Sequence, residues 1–383
     1  MSSSRLSRTA RLLFAVVLLG TVAGGLSTPA GATISFSVST GLVDLTGAPG
    51  STGSQELLIR NDGDESLELR IAVEPNPSVS SDRSAVAWLS LETDALTIQS
   101  GDGASFRVQI TIPDDVESGG YYARVTLTSA TDEAADNVTA VAGQLAVGFM
   151  ITVDGRGEIE QSAAIGRFAA VLEQDGRIGF RVELINNGNV HLINPSGIIE
   201  VVDDAGASYG NLPIPETIPL LPGNTSVMST QGSLPMTAGA AYRAEAGISY
   251  SGLETPLTAS TDFMIEPLLE AGNITICENL DRGPTLTVEL ANSGTIGLQP
   301  VVFMQVSTAD GTSLGSAPVA TGQLLWPDEE RVLSIDFPER LPSGEYRLLT
   351  TVSFDPLGEP IVLDTPFQIG GIDGDPVPFC TSS

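Results

Sequence analysis

The residues that could do chemistry are few and poorly spaced for it. Gly206-Ala207-Ser208-Tyr209-Gly210 has the Gly-x-Ser-x-Gly form of a nucleophile elbow, a sharp turn that exposes its serine. Such a serine needs a base later in the chain, and the only histidine, His191, precedes the string. The string therefore reads as a turn, and His191, just after an Asn-x-Gly turn, as a loop or strand-edge residue rather than a ligand. One His and two Cys cannot complete a zinc set. All 17 basic residues are Arg, so there is no lysine for a Schiff base, a Ser–Lys dyad or a P-loop. Paired carboxylates could serve glycoside chemistry, but the only two Trp, Trp88 and Trp326, read as core or junction residues rather than as sugar platforms. The expectation is no catalytic residue, no cofactor and no enzyme.

Two kinds of site remain. Calcium takes several carboxylate and carbonyl oxygens, and acidic clusters occur at Asp62, Asp64 and Glu65, at Asp114, Asp115 and Glu117, and at Asp373 and Asp375. None matches a defined loop, and such clusters are common in hairpin turns; Asp62, Asp64, Glu65, Asp373 and Asp375 stand as calcium candidates in a chain with no complete metal set. Cys277 and Cys380 form a disulfide in an exported chain, tying the extension after Ile369 to a strand at Ile274 to Cys277. Asn137-Val138-Thr139, Asn224-Thr225-Ser226 and Asn273-Ile274-Thr275 are glycosylation sequons in form.

Export is read from the first residues. Arg5, Arg8 and Arg11 precede the apolar run Leu12 to Leu19, and Ala30-Gly31-Ala32 is a small-x-small cleavage site. Residues 1–32 thus read as a signal peptide, and its removal takes away three Arg and no acid, moving the formal charge from −30 to −33. Leu12 to Leu26 is shorter than the roughly 20 apolar residues of a membrane crossing, and no later segment is apolar enough to span a bilayer. Leu234-Pro235-Met236-Thr237-Ala238 resembles a sorting signal but is followed by long patterned sequence. So acidic a surface repels phosphate backbones, which excludes nucleic-acid partners. The expected location is secreted, extracellular or cell-wall associated.

The elements that must position these residues come in three copies. Strand-like runs end in Asn61-Asp62-Gly63, Asn186-Asn187-Gly188 and Asn292-Ser293-Gly294, and the second and third share Val182-Glu183-Leu184 and Val288-Glu289-Leu290. A second turn comes at Ser100-Gly101, Pro222-Gly223 and Pro327-Asp328, then a tyrosine entering an alternating strand at Tyr121, Tyr242 and Tyr346. The turn Asn lies 60, 56 and 54 residues before its Tyr, and the middle turn (Gly101, Pro222, Pro327) 20, 20 and 19 before it. Period-two alternation places Phe106, Val108, Ile110 and Ile112 on one face, and inward sets at Ala123, Val125, Leu127, at Ala244, Ala246, Ile248 and at Leu348, Thr350, Val352. With 41 Gly, 24 Pro and no sustained helical period, the chain reads as all-β, three tandem immunoglobulin-like sandwiches. Their expected extents are 33–155, 156–267 and 268–369, with a tail at 370–383. Each copy is large enough to bury its own core and so need not depend on its neighbours. Asn61, Asn186, Asn292 and the three tyrosines are structural residues in this reading, each Tyr hydroxyl meeting a backbone carbonyl at the sheet corner.

The first copy also carries a family likeness. Ile34-Ser35-Phe36-Ser37-Val38, Asn61-Asp62-Gly63, Trp88-Leu89, Ile112-Pro113, Gly119-Gly120-Tyr121-Tyr122 and Leu145 to Met150 before Val153-Asp154-Gly155 resemble the N-terminal domain of the WxL-interacting protein family of bacterial surface proteins. That likeness implies peptidoglycan binding by 33–155. Members usually carry a C-terminal membrane helix and basic tail, which this chain lacks. Copies two and three resemble generic bacterial immunoglobulin or fibronectin type III modules. The functional expectation is a non-catalytic surface binding protein, engaging peptidoglycan or another surface protein by strand addition at an open sheet edge. The alternatives are a structural subunit of a surface layer or fibre, and a carbohydrate-binding accessory module.

Overall fold

The period-two alternation is realised as strands throughout. The computed structural model describes residues 35–129, 143–277, 283–337, 340–354, 358–370 and 380–382. The first stretch holds β1 (Phe36–Val38), β2 (Leu42–Gly47), β3 (Thr52–Asn61), β4 (Leu67–Pro75), β5 (Leu89–Leu91), β6 (Ala95–Ile98), β7 (Gly103–Thr111), β8 (Gly119–Ser129) and β9 (Gln144–Val153). The second holds β10 (Ala163–Leu172), β11 (Ile178–Asn186), β12 (Ser196–Asp203), β13 (Ser208–Ile214), β14 (Thr225–Ser229), β15 (Ala241–Ser249) and β16 (Leu257–Met264). The third holds β17 (Leu269–Cys277), β18 (Thr285–Asn292), β19 (Val301–Thr308), β20 (Ser313–Thr321), β21 (Glu330–Asp336), β22 (Gly344–Ser353), β23 (Ile361–Ile369) and β24 (Cys380–Ser382). The only helical segments among the described residues are two 3-10 turns, Ser81–Arg83 and Val86–Trp88.

These strands make immunoglobulin-like sheets that fall in consecutive pairs along the chain: β1-β3-β7-β5 with β2-β9-β8-β4-β6, β10-β11-β14 with β13-β12-β15-β16, and β21-β18-β17-β24 with β20-β19-β22-β23. The inner faces pack as the alternation requires. Phe106, Val108, Ile110 and Ile112 are buried, as are Ala123, Val125 and Leu127, Ala244, Ala246 and Ile248, and Leu348, Thr350 and Val352. Among the described residues the core forms two clusters rather than three. One holds side chains from Val43 to Val153; the other runs without a break from Ala170 to Ile369, through both later pairs of sheets.

The first strand of each stretch is broken. In the first stretch the chain leaves one sheet after β1, which pairs with β3, and joins the other as β2, which runs parallel to β9. In the other two the break is a bulge within one strand, between Ile165 and Phe168 in β10 and between Gly272 and Thr275 in β17. The acid of the repeated Val-Glu-Leu holds each bulge: Glu183 accepts from the Arg167 backbone N–H at 3.3 Å, and Glu289 from the Asn273 side chain at 2.5 Å. A side chain at Gly166 would run into the Glu183 carboxylate, its Cβ only 2.5 Å from Oε2.

Residues 380–382, expected within a tail, form strand β24 on the outer edge of β17, pairing Thr275 with Ser382, Ile276 with Thr381 and Cys277 with Cys380. The two cysteines are joined as a disulfide.

Candidate functional site

The three turn asparagines are buried, and each closes the same bracket. The Asn61 amide donates to the carbonyls of Glu65 (2.7 Å) and Ile98 (3.0 Å), that of Asn186 to Val190 (2.9 Å) and Leu220 (2.8 Å), and that of Asn292 to Ile296 (2.9 Å), Leu325 (3.1 Å) and Trp326 (3.0 Å). Each Oδ1 accepts from the turn glycine two residues on, at 3.0, 2.9 and 3.1 Å. Each Asn carbonyl also accepts from the middle turn, from Gly101, Gly223 and Asp328, all at positive φ. One side chain thus satisfies several backbone groups that burial would otherwise leave unpaired.

The tyrosines turn the sheet corners in two ways. Tyr121 and Tyr346 donate to the carbonyl four residues back, Glu117 at 3.1 Å and Pro342 at 2.6 Å. Tyr242 differs from the expected pattern, its hydroxyl accepting from the Thr237 N–H at 3.1 Å.

The single histidine lies where the first and second stretches meet. It sits in the loop after the Asn186 turn and is only 4% exposed, which nothing in its sequence neighbourhood signals. The ring packs edge-on to Tyr122, with its Nδ1 3.2 Å from the Tyr122 hydroxyl and its Nε2 3.2 Å from Asp44 Oδ1. Asp44, Met150 and Tyr122 are paired across β2, β9 and β8, so the ring covers one row of that sheet's outer face. The assignment that satisfies all three groups is a neutral ring protonated on Nε2, with Tyr122 donating to Nδ1 and Nε2–H donating to Asp44. Burial lowers the His191 pKa, opposed in part by the Asp44 charge and hydrogen bond. Burial also raises the Tyr122 pKa strongly. Further bonds cross the joint: the Gly120 N–H donates to the Asn189 carbonyl (2.7 Å), and the Asn224 side-chain amide to the Ser78 carbonyl (2.9 Å). A buried, fully paired ring in a packed joint can brace two units and respond to pH; it offers no open face to a substrate.

No protein-family model matches the chain, and no curated protein matches it. Among solved structures it is similar to the Class 5 fimbriae chaperone CfaA (14% identity, TM-score 0.34, over 61% of this chain and 100% of that one). It is similar also to the E. coli chaperone DraB (13%, TM-score 0.32, 59% and 98%) and to the ASH / PapD-like domain of human CEP192 (12%, TM-score 0.25, 36% and 99%).

The second joint repeats the logic with other residues. Gly297 occupies the place of His191, five residues after its turn Asn. Its N–H donates to the Ala170 carbonyl (2.7 Å), and its carbonyl accepts from Leu172 N–H (3.0 Å). The Arg167 guanidinium lies 4.5 Å from the centre of the buried Trp326 ring and pairs with Glu183 and Glu329. Trp326 is therefore a junction residue, whereas Trp88 packs in the first core against Tyr121, 4.4 Å between ring centres.

The remaining sequence candidates are spread apart. Asp62 pairs with Arg60 and accepts from Ser37, and Asp115 pairs with Arg156. Asp373 and Asp375 lie outside the described residues, as does Asn137. Among the described residues no group of three or more His, Cys, Asp or Glu is placed to hold a metal. The Gly-x-Ser-x-Gly string is a hairpin: Gly206 takes φ +79° in the turn and Ser208 begins β13. Leu234, in the sorting-signal lookalike, exchanges backbone bonds with Ile178. No helix among the described residues is long and apolar enough to cross a membrane.

Proposed function

We propose that the chain is a non-catalytic, exported binding protein built of three immunoglobulin-like domains (33–155, 156–267 and 268–369), which engages peptidoglycan or another surface protein. The observation that carries this reading is that β14 and β21 end their sheets, with Val227 and Val332 exposed at 47% and 60%. A partner strand laid along such an edge gains main-chain hydrogen bonds and needs no side-chain motif. The chemically able side chains, meanwhile, are spent inside the fold: His191, both Trp, the three Asn and the three Tyr all hold strands or joints together. The resemblance of the first copy to the WxL-interacting family supports peptidoglycan as the ligand of 33–155.

The test is retention of the full chain on a wall fraction and on purified peptidoglycan. Removing 33–155, whose core is separate from the rest, abolishes retention on peptidoglycan in this reading. Val227→Arg with Val332→Arg, which blunts both edges, abolishes retention that depends on a surface protein. Binding unchanged by either alteration overturns the proposal.

A further inference from the structure

The bulges of β10 and β17 differ in one residue that decides the charge around them. Gly166-Arg167 and Gly272-Asn273 lie against the same acid of the repeated Val-Glu-Leu, Glu183 and Glu289. In the second stretch the Arg167 guanidinium pairs with Glu183 at 3.0 Å and reaches Glu329 as well. In the third, the Asn273 amide bonds Glu289 and brings no charge. The outer face of β17, β18 and β21 therefore keeps its acids. Glu289 stands beside Val332, and Glu270 and Glu330 flank Ala291, all three carboxylates exposed around a cleft of about 580 Å³. Arg331 borders the same cleft, but its guanidinium is held by Glu329 and the Leu324 carbonyl.

The sheet edge beside this cleft is open. Among the described residues no strand lies beyond β21, whereas β24 fills the outer edge of β17. Other edges of the later stretches are blunted: β13, β20 and β23 contain Pro213, Pro318 and Pro366, and each proline takes a donor from the row that an added strand would need. β21 has seven residues and no proline. Its exposed side chains are Glu330, Val332, Ser334 and Asp336, while Ile335 on the other face is only partly buried. We propose, on the strand-addition reading above, that the β21 edge takes an extended segment of a partner protein carrying an arginine or lysine opposite Val332. The aliphatic stem of that residue covers Val332, and its cation enters the acidic cleft behind, where Glu289 lies in the same row and Glu330 on the diagonal. Residues alternating with it face inward and cover Ile335. The cation supplies to Glu289 what Arg167 supplies to Glu183.

The probe is the capped peptide Thr-Ile-Thr-Val-Arg-Thr-Thr with a neutral dye, written for antiparallel addition from Asp336 to Glu330, and its twin with methionine in place of arginine. Both are titrated with the full chain by fluorescence anisotropy. The arginine peptide is expected to bind about five-fold more tightly at low salt, an advantage that shrinks on adding about 0.5 M salt. Glu289→Gln with Glu330→Gln removes the advantage. Glu65→Gln with Glu68→Gln changes the net charge equally on the first stretch and keeps it. Hydrogen exchange places the peptide, slowing amides between Arg331 and Asp336. Equal affinity of the two peptides overturns the proposal and leaves strand addition at this edge standing; no binding of either overturns both. An advantage lost equally in the Glu65 and Glu68 variant reduces the effect to attraction by a chain of formal charge −30, and overturns the proposal as well.

Discussion

At the scale of single residues, the buried polar side-chain atoms among the described residues are paired except for two, the Arg124 Nε and the Thr350 hydroxyl. The brackets at Asn61, Asn186 and Asn292 leave little unpaired, whereas Thr350, fully buried between Met304 and Leu363 in the ladder, has a hydroxyl with no partner among the described residues. Replacing that hydroxyl with a methyl group removes a desolvated polar atom at nearly constant shape. Thr350→Val is expected to stabilise the third stretch by about 1 kcal/mol, read as a shifted midpoint in urea; a destabilised variant would show that the hydroxyl has a partner after all. His191 carries the second prediction at this scale. Its pKa is lowered from the ordinary 6.5 by burial, and the charged or titratable groups around it are Asp44 on β2, Tyr122 on β8 and Arg83 in the first 3-10 turn. A depressed folded value means that the neutral ring's contribution is complete above about pH 6.5 and is lost as pH falls through the folded value, because protonation favours the released ring. Between about pH 7 and pH 5 the wild type should lose more stability than His191→Gln, with a slope difference of at most about 1.4 kcal/mol per pH unit, one proton's worth. Parallel pH profiles for the two proteins would rule the mechanism out.

At the scale of elements, what was legible in the sequence is what repeats locally. The Asn and Tyr positions showed themselves by common spacing, and strand faces by alternation, because a bracket or an inward row is decided by residues on one or two neighbouring strands. The joints were not legible, because His191 and Asp44 are 147 residues apart and meet only when two sheets have formed. The turn glycines fall between these cases. Gly188 and Gly294 looked like ordinary turn residues, yet in both the linker from the preceding unit crosses directly over them. A Cβ at Gly188 would lie 2.3 Å from the Glu160 carbonyl oxygen and 2.8 Å from the Ser162 nitrogen; at Gly294 the clashes are 2.7 Å with Glu266 and 3.0 Å with Leu268. These neighbours are backbone and cannot rotate aside. Gly188→Ala is therefore expected to destabilise the first joint by about 1–3 kcal/mol, the range for forced overpacking. Gly101→Ala is the control, since its φ of +77° brings strain while the space around it is open. A chemical-denaturation series should show Gly188→Ala weakening hydrogen-exchange protection at Asn187 to Asn189, whose N–H groups donate to Glu160 and Ser162; the control should leave those amides protected.

For the whole molecule, the continuity of the cores decides how many parts unfold. Three sequence repeats suggest three transitions, but among the described residues side chains from Ala170 to Ile369 form one apolar cluster, while those from Val43 to Val153 form another. The first joint is polar, a histidine, a tyrosine, a carboxylate and a few backbone bonds. The second is partly apolar, with Gly297 set against Val171 and Leu324 so tightly that an added Cβ would lie 3.0 and 2.9 Å from them. Cooperativity tracks shared burial more than shared hydrogen bonds, because breaking apolar contact exposes surface on both sides at once. Calorimetry is therefore expected to resolve two transitions, one for 36–153 and one for the rest, rather than three or one. The assignment is checked by perturbing each joint. Gly297→Val should split the larger transition, since it wedges the second joint apart, and His191→Gln should remove the acid sensitivity of the smaller one without moving the larger. Three well-separated transitions in the unaltered chain would show that the common cluster does not couple the later units, and would return the molecule to the string of independent modules that its repeats suggest.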